Sequence, residues 1–355
     1  MMAKEKQLWQ ITQLFLLLAV IAIVFATLKL SSALVVPFLI AIAISILLSP
    51  PFKYMESKHI PKSVSLVGLA FLIILPIMGL GGYIGGEVQD FAHNYQTMQK
   101  EFDVWILKLS IFSAKLGFGI TQEDISKALD SFNVLDLIRG LVSQTKDQFS
   151  NIFLVFFIVA FMLMESTFLY NKLVKVMSER GSDVEKSMEF IEKIKKYFLL
   201  KMKTSLVTAI LLFIGLTILD IRYAFLWAVL AFFFNFIPVI GSILAAVPAV
   251  IIALAYQGLM TGVWIMLWYI VVNVLIGNIL EPRIMGKGLG LSALVIFLSM
   301  TFWGWMFGPA GMILSAPLTV GMQYLFGRYE ETKWVAFMLS DYQQESSDSL
   351  SSKEK

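Results

Sequence analysis

Four residues with polar or minimal side chains recur every four positions within one apolar stretch of the C-terminal half. They are Tyr269, Asn273, Gly277 and Glu281. Residues four apart share one face of an α-helix, so this face presents a hydroxyl, an amide, exposed backbone and a carboxylate in a line. Such groups bind a polar solute or an ion, and polar side chains within lipid need a partner or a function. For Asn273 we favour a solute contact, and a hydrogen bond between helices is the competing interpretation.

Further polar residues lie at the C-terminal end of the same stretch. Asn278 is another candidate for the path of a solute or ion, and Glu281 and Arg283 lie at the end of the predicted helix. Two interpretations of the acidic and basic side chains remain open. They form an ion pair that locks the helix end, or Glu281 takes part in gating or ion coupling.

Two similar apolar sequences flank this stretch, and each follows a proline. Residues 241–248 are Gly-Ser-Ile-Leu-Ala-Ala-Val-Pro, and residues 311–317 are Gly-Met-Ile-Leu-Ser-Ala-Pro. Proline cannot donate a backbone hydrogen bond, and glycine permits unusual dihedral angles. We therefore predict two helical hairpins with non-helical tips. The residues predicted to shape these tips are Pro238, Gly241, Gly308, Pro309 and Gly311.

Three polar side chains near the tips are also candidates for solute or ion contacts. Asn235 either offers its amide to a solute or satisfies the backbone groups freed around Pro238. Opened carbonyl groups at such tips bind cations in broken-helix transporters. Ser242 and Ser315 are small hydroxyls, which more often bond to their own helix than to a ligand.

Composition shows which class of protein must position these residues. The chain has 355 residues, of which 58% are hydrophobic and 15% charged. Soluble proteins average about 45–50% apolar and about 25% charged residues. The excess lies in long runs without charge, which predicts an all-α polytopic membrane protein. No cysteine is present, and the two histidines, His59 and His93, lie outside these runs, so we predict no enzyme, no catalytic residues, no cofactor and no metal site.

We predict about six full spans and two re-entrant hairpins, where simple hydropathy alone gives eight spans. The full spans are 9–29, 31–50, 63–88, 150–171, 203–220 and 260–281. The arms 223–237 and 241–256 are roughly 22 Å and 24 Å long as helices, shorter than the hydrocarbon core of about 30 Å. Two span-plus-hairpin units then lie antiparallel, which is typical of inverted-repeat transporters.

The placement of Lys and Arg predicts the orientation. Segment 171–203 holds nine basic against five acidic residues, and loop 51–62 holds three against one, so both are predicted to be cytoplasmic. Segment 89–149 holds eight acids against six bases and is predicted to be external. Both termini are then cytoplasmic. The resulting divisions are residues 1–88 (three helices), 89–149 (external amphipathic helices), 150–203 (a span and a basic amphipathic helix), 204–327 (the transport unit) and 328–355 (a polar tail).

Packing and assembly follow from two other patterns. Gly81, Gly82, Gly85 and Gly86 favour close packing of the third helix. The external helices either pack on the rest of the chain, on a sister subunit, or on the membrane surface. The basic helix at 182–203 marks the cytoplasmic side or attracts anionic headgroups. Nucleic-acid binding is not expected.

The tips and the stretch between them resemble the autoinducer-2 exporter (AI-2E) family. Residues 236–248, residues 277–286 with Gly290-Leu291-Ser292, and residues 308–317 carry the resemblance. It implies a bacterial inner-membrane transporter and a homo-oligomer such as a pentamer. Family members are linked to export of the quorum-sensing signal autoinducer-2 or to sodium–proton exchange. Ile276 stands where we expect a polar or acidic residue in relatives, which puts a carboxylate-based proton site there in doubt.

Three functions remain in competition. Export of a small polar solute, possibly autoinducer-2, leads, and a sodium (lithium)–proton antiporter of the same family is the main alternative. The scarcity of carboxylates within the spans argues against the antiporter, because proton exchange needs a titrating group. A channel is the alternative from another class, and conduction that does not saturate would support it.

Overall fold

The computed structural model describes residues 2–115, 145–179, 184–238, 240–285 and 289–341, and nearly all of these residues are helical. The first five helices are α1 (Met2–Leu30), α2 (Ser32–Ser57), α3 (Lys62–Lys115), α4 (Thr145–Glu179) and α5 (Val184–Ile218). The next six are α6 (Ala224–Phe234), α7 (Gly241–Gln257), α8 (Leu259–Asn273), α9 (Glu281–Met285), α10 (Ala293–Phe326) and α11 (Lys333–Leu339). A π-helical segment, Val274–Leu280, joins α8 to α9, and a 3-10 turn, Glu330–Thr332, precedes α11.

The architecture is that of an all-α membrane protein, as the composition predicts. Among the described residues, four helical segments are long and apolar enough to cross a bilayer, and shorter apolar helices accompany them. The four segments are Ser32–Ser57, Ser187–Ile218, Leu259–Leu280 and Ala293–Phe326. Large apolar side chains such as Phe71 and Trp264 stay exposed, with 59% and 57% of their surface accessible. Such a surface suits contact with lipid, because water would not tolerate so much exposed apolar area.

Two helices are longer than the sequence predicts. The third predicted span ends at residue 88, but α3 continues without a break to Lys115. Residues 88–98 contain neither proline nor glycine, so nothing in this stretch interrupts the helix. The first part of the predicted external segment 89–149, up to residue 115, therefore continues the same helix. Residues 116–144 of that segment, where further amphipathic helix is predicted, lie outside the described residues.

The basic amphipathic helix and the fifth span are also one element. The sequence predicts a boundary at residue 203, but α5 runs continuously from Val184 to Ile218. The boundary residues 200–204 are Leu-Lys-Met-Lys-Thr, and the first four of them are good helix formers. This continuity rigidly connects the basic part of α5 to the part that packs against the first hairpin.

The first hairpin consists of α6 and α7, joined by a turn that begins at Asn235. As helices, its arms are about 17 Å and about 26 Å long. Trp227 of α6 is fully buried in a core that also contains Ala249 of α7 and Ile265 of α8. A Cβ atom at Gly241 would overlap the backbone carbonyl of Phe234, so glycine is what allows α7 to start so close to the end of α6.

The second hairpin is formed by the two halves of α10, which fold back at Gly308. This glycine has φ 64° and ψ −149°, a conformation open to glycine but not to other residues. The indole nitrogen Nε1 of Trp303 donates to Oγ1 of Thr319 at 3.1 Å. Sixteen residues of straight helix would separate these groups by about 24 Å, so the halves must run antiparallel. A Cβ at Gly311 would overlap the Trp303 carbonyl, which is the same kind of close approach as at Gly241.

Two further features concern the surface and the tail. Cβ atoms at Gly81, Gly82, Gly85 and Gly86 would meet nothing within 4 Å, so the described residues do not pack closely against the glycine face of α3. The predicted polar tail from 328 begins with ordered structure. Helix α11 is held against the loop before α10, because the amide of Asp341 donates to the carbonyl of Gly290 at 3.1 Å.

Candidate functional site

A cavity of about 980 Å³ lies between the first hairpin, α8 and α5. The apolar side of its wall comes from one face of α7, and the polar side comes from α8 and from the tip of the first hairpin. Its polar and charged lining residues are Lys201, Asn235, Ser242, Tyr269, Asn273, Asn278 and Glu281. The structure thus brings together six of the eight residues that the sequence proposes for a solute or ion path, and it adds Lys201.

The predicted stripe along α8 forms one wall of this cavity. Tyr269, Asn273, Gly277 and Glu281 all line it, and a Cβ at Gly277 would meet open space. Asn278 lies on a second row of the same wall, four positions after Val274 and eight after Ile270, which also line the cavity. The π-helical segment Val274–Leu280 carries both Gly277 and Asn278.

Tyr269, the first residue of this stripe, has an unusual environment. Only 1% of the residue is exposed, and its hydroxyl has no hydrogen-bond partner among the described residues. Burying a hydroxyl without a partner costs about 1–3 kcal/mol. Because this buried hydroxyl lies at the cavity wall, we expect it to form a hydrogen bond in another state of the protein.

The tip of the first hairpin is tied to α5 by a polar contact that the sequence did not predict. The amide Nδ2 of Asn235 donates to Oγ of Ser205 at 3.0 Å, and Ser205 is fully buried. Pro238 and Ser242 line the cavity beside it. Asn235 thus has one of its amide hydrogens engaged, while its side chain still contributes to the cavity wall.

Glu281 has a different partner from the one proposed from the sequence. Its Oε1 and Oε2 lie 2.9 Å and 3.2 Å from Nζ of Lys201, whereas Arg283 is exposed and outside the cavity lining. Among the described residues Glu281 thus pairs with Lys201, in an ion pair that joins α5 to the start of α9, and not with Arg283. Lys201 belongs to the basic helix predicted at 182–203, but it lies three positions after the buried Phe198 and is itself buried on the same face.

The second tip contributes little to this cavity. Ser315 is fully buried, and its Oγ donates to the carbonyl of Met312 in its own helix at 2.8 Å. Oγ of Ser299 donates to the carbonyl of Ser315 at 3.0 Å, so this serine helps to join the two arms. Gly308, Pro309 and Ser315 do not line the cavity. In the part of the chain that the structure describes, no three His, Cys, Asp or Glu side chains converge as metal ligands would.

The end of the first hairpin that lies opposite its tip is hydrogen-bonded to acidic side chains of α3. Oε2 of Glu87 accepts a hydrogen bond from the amide of Leu226 at 3.0 Å, in the first turn of α6, where negative charge is favourable. The hydroxyl of Tyr223 donates to Oδ2 of Asp90 at 2.7 Å. These two bonds fix the start of α6, and so they help to fix the cavity wall that the hairpin provides.

Comparison with known proteins agrees with these features. The sequence profile of the AI-2E family transporters matches residues 14–331. The chain belongs to the AI-2E family. The AI-2 transport protein TqsA of Escherichia coli (strain K12) is 31% identical over 94% of this chain and 97% of its own length. A putative transport protein of Haemophilus influenzae is 33% identical over 91% of this chain and 95% of its own length, and YhhT of Escherichia coli is 28% identical over 86% and 88%. The AI-2E resemblance drawn from the tip sequences is confirmed, and the chain is a membrane transporter by family.

Proposed function

We propose that this protein exports a small polar organic solute through the cavity between the first hairpin and α8. The observation that carries the proposal is the cavity itself. Its volume of about 980 Å³ falls at the upper end of the range of about 300–1,000 Å³ typical of small-molecule sites. One wall offers amides and hydroxyls, and the opposite wall of α7 is apolar, an arrangement typical of such sites.

Autoinducer-2 is our candidate solute, because the E. coli relative that matches nearly the whole chain carries that substrate in its name. A compact solute with several hydroxyls would take hydrogen bonds from Asn273 and Asn278. The hydroxyl of Tyr269, which now lacks a partner, would gain one when the wall opens toward the solute. The apolar side of the cavity would cover the carbon skeleton.

Transport also requires that the cavity open alternately to the two sides of the membrane. In our proposal the two hairpins are re-entrant and form, with the helix before each, two antiparallel units of an inverted repeat. In both hairpins a glycine, Gly241 or Gly311, lets the second arm lie close to a backbone carbonyl of the first arm. This shared feature supports the inverted repeat. The protein then lies in the bacterial inner membrane with both termini in the cytoplasm, as its basic segments indicate.

A sodium–proton antiporter remains a second candidate, because the cavity contains a carboxylate, Glu281, beside the amide of Asn278. Transport in proteoliposomes separates the functions. We would load vesicles with autoinducer-2 or with a pH dye and impose sodium and proton gradients. Saturable movement of the signal that falls at least about tenfold in Asn273→Ala, and several-fold in Tyr269→Phe, is the expected result. A sodium-driven pH change without signal movement would show an antiporter, and signal movement that does not saturate would show a channel.

We also propose that the protein is a homo-oligomer. The glycine face of α3, at Gly81, Gly82, Gly85 and Gly86, is exposed and has no close neighbour in the part of the chain that the structure describes. Small residues four apart let helix backbones approach closely in membranes, so this face suits contact with a second copy. Native mass spectrometry of the wild type and of Gly82→Leu tests this, and loss of the oligomer in the variant is expected.

A further inference from the structure

The ion pair between Lys201 and Glu281 has an unusual position. Only 11% of the lysine side chain and 14% of the glutamate side chain are exposed, and Nζ lies within 3.2 Å of both carboxylate oxygens. Four ion pairs elsewhere in the described part of the chain involve side chains that are about 34–81% exposed. A pair held in this way is screened little by water and salt.

This pair also holds all the charge of the cavity wall. Among the described lining residues, Lys201 and Glu281 are the only charged side chains, and the rest are apolar or carry neutral amides and hydroxyls. Because one charge cancels the other, the wall has no net charge. An ion that entered the cavity would lose hydration without meeting an unpaired opposite charge, whereas an uncharged polar solute would not carry that cost.

We infer that Lys201 and Glu281 determine the charge specificity of the cavity, so that it accepts uncharged polar solutes and rejects both anions and cations. This inference rests on the proposed role of the cavity as the solute site. Each side chain neutralises the charge of the other. Without Glu281 the lysine would attract anions, and without Lys201 the glutamate would attract cations. An ion pair that served only to join α5 to α9 would not produce opposite preferences in its two variants.

The test uses the purified full-length protein in nanodiscs and three sugars of related size: ribose, its anionic ester ribose 5-phosphate, and the cationic glucosamine. Binding is measured as the rise in unfolding temperature with sugar concentration. We expect the wild type to favour ribose. Glu281→Gln should favour ribose 5-phosphate over glucosamine by roughly tenfold, and Lys201→Met should show the reverse preference.

Two double variants keep the test valid if a single variant folds poorly, because a buried charge without its partner is strongly destabilising. The charge swap Lys201→Glu/Glu281→Lys and the neutral pair Lys201→Met/Glu281→Gln both restore zero net charge, and both should favour ribose as the wild type does. Equal preferences in the two single variants, or a charge preference in either double variant, would overturn the inference. Autoinducer-2 transport is measured separately on the same wild-type protein, so its absence would contradict the proposed function alone.

Discussion

Asn235 at the tip of the first hairpin donates a hydrogen bond to Ser205 in the middle of α5, at 3.0 Å. The bond crosses from a non-helical turn to a continuous helix, and Ser205 is fully buried. It therefore fixes the position of the tip relative to the helix that also holds Lys201. In this account the amide has two roles, since it anchors the hairpin and contributes to the cavity wall.

The anchoring role predicts the effect of Ser205→Ala. Loss of this one bond should lower the free energy of unfolding by about 1 kcal/mol and reduce transport several-fold, because the tip is no longer held. Thr217→Ala on the same helix is the matched control, since among the described residues its hydroxyl donates to the carbonyl of Phe213 in its own helix and reaches no other helix. Thermal unfolding and vesicle transport measure both effects. Equal behaviour of the two variants would show that the tip is not anchored there.

The tip glycines predict a strong and local effect of adding one methyl group. At Gly311 a Cβ would overlap the backbone carbonyl of Trp303, and backbone cannot move aside as a flexible side chain can. Gly311→Ala should therefore separate the two arms of the second hairpin and destabilise the protein by about 1–3 kcal/mol. Gly79→Ala is the control, because its Cβ would meet nothing within 4 Å. Unfolding temperatures of the two purified variants check this, and a stable Gly311→Ala would contradict the described tip.

The contact between Tyr223 and Asp90 predicts a dependence on alkaline pH. Burial, and then the hydrogen bond to the Asp90 carboxylate, raise the pKa of Tyr223 from 10.0 to about 12. Because the folded state favours the neutral phenol, the stabilisation is complete below pH 10 and is lost as the pH rises from 10 to 12. Tyr223→Phe should unfold more easily than the wild type at pH 8 and equally easily above pH 12. Tyr329→Phe, at an exposed position, should follow the wild type throughout.

Re-entrant hairpins of opposite direction predict where the two tips can be reached. The chain has no cysteine, so single cysteines at positions 238 and 309 can be labelled without background. In intact cells and in inverted vesicles, an impermeant maleimide should reach Pro238→Cys and Pro309→Cys from opposite sides of the membrane. Labelling of both tips from the same side would contradict the inverted repeat.

The sequence predicts some parts of the site well, because they depend on local pattern. The four-residue spacing of Tyr269, Asn273, Gly277 and Glu281 places them on one wall, and the cavity contains all four. The break at Gly308 was also predictable, since proline and glycine act within a few residues.

Other parts depend on contacts between distant segments or on a rare backbone form. Lys201 is one of many lysines in a basic segment, and only the fold shows that it faces Glu281, 80 positions further along the chain. The π-helical segment Val274–Leu280, which carries Gly277 and Asn278 of the cavity wall, has no clear sequence pattern. The continuity of α5 across residue 203 also lies outside local pattern, because a change from charged to apolar composition does not end a helix.

The central claim is that the cavity is the path of the solute, and blocking one small residue of its wall tests this most directly. Ala246 lines the cavity on α7, so Ala246→Cys would place a thiol there, while Ala253→Cys on the same helix would lie in the packed core. After reaction with a small maleimide, we predict that Ala246→Cys loses autoinducer-2 transport and that autoinducer-2 in excess protects it from labelling. Full labelling of Ala246→Cys with unchanged transport would contradict the account.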